Sequence, residues 1–70
     1  MYDVTAVSHD RRYIPLAAAV AQRQDAREIA RLASARTEGG AAAWSAVLVK
    51  IAATGQITDT FVAGRRQPPA

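Results

Sequence analysis

The stretch AAAWSAVLVKIAATG, residues 41–55, is the most apolar in the chain and carries one charge, Lys50, in its interior. Three structures compete for it: a membrane span, a buried helix, and a face offered to another protein. Its uncharged run extends only from Gly39 to Val49, short of the roughly 20 residues that a helical bilayer span requires. Trp44, Val47, Leu48 and Ile51 recur at i, i+3, i+4 and i+7, while Lys50 and Thr54 fall on the opposite side of a helical wheel. Alanines fill most of the remainder, which widens the apolar arc. This spacing predicts a helix closed by Gly55, with Trp44, Val47, Leu48 and Ile51 forming a core or oligomer face.

The segment before it points the same way. From Leu16 to Arg36 neither glycine nor proline interrupts a run rich in alanine, arginine, glutamine and glutamate, all good helix formers. Pro15 suits the first helical position. Gly39 or Gly40 can take the left-handed conformation that ends a helix, so a tight turn joining two antiparallel helices is expected there. Tyr2–Ser8 and the segment QITDTFVAG, residues 56–64, mix β-branched and small residues and read as strands. Residues 12–16 are either a short return strand or an extended lead into the helix. The expected fold is therefore α+β, a strand–helix–helix–strand domain over residues 1–64 built on an antiparallel helical hairpin. Residues 65–70, RRQPPA, are expected to form a flexible basic tail.

Half of the 70 residues are hydrophobic, but 17 of those 35 are alanine, which brings little area to a core. Small domains with thin cores gain support from disulfides, metals or self-association. The chain has no cysteine and one histidine, so no disulfide, thiolate site or cofactor is expected, and homodimerisation is. The formal charge of +3 is mild, and arginine outnumbers lysine eight to one. That bias, with the alanine, fits a GC-rich gene of bacterial or phage type. No charged and apolar leader opens the sequence, and a cytoplasmic location is the default expectation.

Little in the sequence is chemically specific. Ser8, His9 and Asp10 carry the letters of a hydrolytic triad, but consecutive residues do not present those groups in relay geometry. A polar turn is the simpler reading. The six acidic residues are scattered, and EGGAAA lacks the spacing and the Lys-Ser/Thr pair of a phosphate loop. A non-enzyme is expected. Arg23, Arg27 and Arg31 stand four apart and form a column on the first helix, with Arg36 near its end. Glu28 can pair with Arg31, whereas Arg23 and Arg27 have no acid at helical spacing. Arg11, Arg12, Arg65 and Arg66 can extend the basic field. The column predicts a small protein-interaction module, of accessory or inhibitor type, that binds an acidic surface of another protein through Arg23, Arg27, Arg31 and Arg36. The alternatives are a DNA-binding regulator of phage or plasmid type, using the same arginines on phosphates, and a merely solvated face.

Overall fold

The computed structural model describes residues 1–68. Seven strands and one helix follow in the order β1 (Tyr2–Val7), β2 (Tyr13–Val20), α1 (Arg23–Ala35), β3 (Thr37–Glu38), β4 (Ala41–Ala42), β5 (Ala46–Ile51), β6 (Ile57–Val62) and β7 (Arg65–Arg66). Five of them make one antiparallel sheet in the order β2-β1-β5-β6-β7, and β3 with β4 forms a separate two-stranded ribbon. The single helix lies across one face of the large sheet.

The helical hairpin is overturned on both sides of its turn. The segment read as the second helix is β5, paired with β1 on one side and β6 on the other. Val47 and Val49 are both wholly buried, yet a helix would place them on nearly opposite sides. In a strand residues two apart share a face, and the β-branched run Val47, Val49, Ile51 suits a pleated surface. Both valines point at α1. Leu48 and Lys50 share the other face, so Trp44, Val47, Leu48 and Ile51 do not form a single stripe. Trp44 lies in the loop before β5 and packs part-buried against the core. Ile51, at the far end of β5, pairs with Tyr2.

The first helix is also shorter than expected. It starts at Arg23, and Tyr13–Val20 is β2, a hairpin partner for β1. Alanine's helical advantage over ordinary residues is at most about 0.7 kcal/mol each. Pairing answers the obligatory hydrogen-bonding groups along one side of β1, and tertiary context outweighs propensity. β2 is irregular: its register shifts twice against β1, Ala19 takes φ +54°, and the Asp3 carboxylate accepts a hydrogen bond from the Ala19 amide (3.1 Å). Gly39 and Gly40 do adopt positive φ, +60° and +83°, but in the two-residue turn that joins β3 to β4. Two successive positive φ values are the geometry of the tight hairpin turn whose twist matches its strands.

The core is small and built largely from side chains of modest size. Val4, Ala6, Val47, Val49 and Phe61 of the sheet meet Ala26 and Ala30 of α1. Alanine at the helix contact lets α1 approach the sheet closely. At its end Ser34 is buried, donating to the Arg31 carbonyl and accepting from the Gly64 amide (3.0 Å). That bond ties the β6–β7 turn to the end of the helix. Arg65 and Arg66, expected in the tail, form β7 against Val62 and Phe61. Of the tail, residues 69 and 70 lie outside the described residues.

Candidate anion-binding site

The inward face of β6 carries Phe61 and, two residues earlier, Asp59. The Asp59 side chain is wholly buried, although it is a carboxylate. Taking a charge out of water costs several kcal/mol unless it is paired and hydrogen-bonded. Three arginines supply that pairing. Arg23, at the start of α1, donates from Nε to Oδ2 (3.1 Å) and from Nη2 to Oδ1 (3.2 Å). Arg66 of β7 donates from Nε to Oδ1 at 2.7 Å. Arg27, one helical turn after Arg23, brings its Nε to 3.5 Å from Oδ1. The Thr58 hydroxyl donates to Oδ2 (2.9 Å). Burial by itself would push the Asp59 carboxyl up, but hydrogen bonds from Arg23, Thr58 and Arg66 outweigh it and hold the group below the usual carboxylate range.

Three guanidiniums face one carboxylate, so the cluster carries two positive charges in excess. Each of the three remains 40–45% exposed, and each has N–H donors that Asp59 does not use. Beside them runs a shallow groove of about 330 Å³, lined by Gln24, Arg27, Glu28, Arg31, Phe61 and Arg66. Arg31 closes a pair with Glu28, as its spacing predicted, and that pair adds no net charge. The hydrogen bond from Arg31 pulls the Glu28 carboxyl down, and the same bond raises Arg31. Aspartate holds the arginines in position, and their outward donors remain open to a second anion.

The structure brings together two of the four arginines read as partner-binding, Arg23 and Arg27, with Arg31 on the rim of the same groove. Arg36 stands apart: it is the residue after α1, exposed, with its Nη2 3.8 Å from Glu38. Asp59 and Arg66 were not singled out from the sequence as a site. Among the described residues no group of three or more histidine, cysteine, aspartate or glutamate side chains could hold a metal ion. Ser8, His9 and Asp10 form a polar turn, in which Ser8 donates to Asp10 and accepts from the Arg12 amide, while His9 Nε2 lies 2.8 Å from the Ala42 carbonyl oxygen. Compared with protein-family models, curated proteins and solved structures, the chain matches none. No helix among the described residues is long and apolar enough to cross a membrane.

Proposed function

We propose that this protein is a small non-enzymatic binding module that docks an acidic segment of another protein on the groove between α1 and β7. The observation that carries this reading is the excess of three arginines over the one carboxylate they share. A single arginine in bidentate contact would answer Asp59. The second and third add mutual repulsion, which an external anion relieves. Arginine is suited to the task because its planar fork matches carboxylate geometry and because it is a frequent binding hot spot. The guanidiniums are already held by Asp59, so less side-chain freedom is lost on binding.

The test uses fluorescence anisotropy with a labelled glutamate-rich peptide and, in parallel, a labelled DNA duplex. The wild type is expected to bind the peptide, and Arg27→Glu to lose that binding while keeping its circular dichroism spectrum. Tighter binding of the duplex, with affinity falling by orders of magnitude between low and moderate salt, would move the reading to a DNA-binding regulator. An Arg27→Glu protein that binds as the wild type does would assign the arginines to Asp59 alone.

A further inference from the structure

We infer that the anion taken by this groove is a phosphate dianion carried on a side chain of a partner protein. This rests on the reading of the groove as a partner site and narrows its ligand. The argument begins with charge. Arg23, Arg27 and Arg66 leave two positive charges after Asp59 is counted; a carboxylate neutralises one of them. A phosphorylated serine or threonine carries about −1.5 to −2 charges at neutral pH and three strong acceptor oxygens. It matches the deficit, whereas the phosphodiester of a nucleic-acid backbone carries only one charge per phosphate.

Donor geometry leads to the same ligand. Arg27 and Arg66 both line the groove, and both contact Asp59 through Nε. Arg66 commits its Nε–H to Asp59 and keeps its Nη N–H groups, while Arg27 makes no hydrogen bond to Asp59 at 3.5 Å, and these remaining donors suit several acceptor oxygens on one tetrahedral centre. Arg31 and Gln24 add donors at the rim. The floor is the buried ring of Phe61, an apolar surface beside the charges that favours the methylene or methyl of a phosphorylated side chain over bulk solvent. Glu28, also on the rim, is paired with Arg31 and therefore does not oppose the incoming charge unaided.

The experiment compares four labelled probes on the intact chain: a neutral nonapeptide with a central phosphothreonine, the same peptide with threonine, the same with glutamate, and a single-stranded DNA nonamer. The phosphothreonine peptide is expected to bind at least about tenfold more tightly than the glutamate peptide, since the dianion answers both excess positive charges and a carboxylate answers one. The threonine peptide is expected not to bind. Arg27→Gln is the discriminating variant, because Arg27 meets Asp59 only through the 3.5 Å contact, and the variant is expected to keep the wild-type circular dichroism spectrum. With one positive charge left in excess, it is expected to bind the phosphothreonine and glutamate peptides alike. Equal binding of these two peptides by the wild type overturns the dianion inference and leaves the acidic-partner reading standing. Binding of neither peptide overturns both. Preference for the DNA nonamer also overturns it, by assigning the same arginines to a nucleic acid. An Arg27→Gln protein that keeps the full phosphothreonine preference removes Arg27 from the site and, with it, the charge argument.

Discussion

Asp59 is a buried carboxylate held by three arginines. Its folded carboxyl lies below its ordinary value, so it contributes stability that is fully present above the unfolded value of about 3.9. That contribution is lost as pH falls through the lower, folded value. Acid titration of the wild type followed by circular dichroism is expected to show this loss below about pH 4. Asp59→Asn removes the charge and leaves three guanidiniums facing one another; it is expected to cost about 3 kcal/mol in urea denaturation, in line with breaking a buried pair from one side. The variant should also show a flatter acid limb. A pair of substitutions tests the β6–β7 turn. Ala63 has φ +51° and Gly64 φ +82°, so alanine occupies a conformation that costs an ordinary residue about 1 kcal/mol. Ala63→Asn is expected to raise the melting temperature by about 4–8 °C. Gly64→Ala is expected to lower it, because a Cβ there meets the Ala35 Cβ at 3.1 Å in addition to the φ strain. Neither Ala63 nor Asp59 stood out in the sequence. The signal for Asp59 was present, though: it sits two residues before Phe61 in an alternating strand, which places a charge on the core side. Its partners could not be found by spacing, since Arg23 and Arg27 lie in a helix far away in the sequence.

The strands β1 and β6 were legible because they are rich in β-branched and aromatic residues. The ribbon turn was half legible, in that Gly39 and Gly40 do adopt positive φ, though between strands and not after a helix. What misled was alanine. At positions 17–19 and 41–43 it favours helix weakly and has no side chain large enough to reveal a period. Trp44, in the loop before β5, and Val47, Leu48 and Ile51 within it satisfy a helical pattern by coincidence, because short apolar runs satisfy either period. The chain has no cysteine, so cysteine scanning resolves the difference directly. Single cysteines at 47 and 49 are both expected to resist a water-soluble thiol reagent, while one at 50 reacts. A helix would protect 47 with 51 and expose 49. Val49→Ala is expected to cost about 2 kcal/mol, the order of a lost core side chain that small neighbours cannot refill.

Among the described residues one helix lies on one face of a five-stranded sheet, with a separate two-stranded ribbon, an arrangement that antiparallel pairing permits because its other face can meet water. On the proposed reading the molecule's charges serve two different ends. The ion pairs of Asp59 are sheltered, and salt screens buried pairs weakly, whereas a partner held by exposed guanidiniums is screened strongly. Raising sodium chloride from about 50 to 500 mM is therefore expected to weaken the peptide complex by about tenfold or more, with little change in the urea midpoint of the free protein. A parallel fall in both would mean that the arginines act chiefly as a fold determinant.

β1 is an interior strand of the sheet, between β2 and β5. The strand made earliest is thus finished by one made some forty residues later. During synthesis, residues 2–20 can form their hairpin as soon as they emerge, but such a pair is marginal alone. The strand's other side stays unanswered until residue 51 has left the ribosome. A fragment ending at residue 45 is therefore expected to remain unstructured by circular dichroism, since β1 then lacks its second neighbour. The timetable of the chain, read from its sheet order, places the decisive event after β5 has emerged.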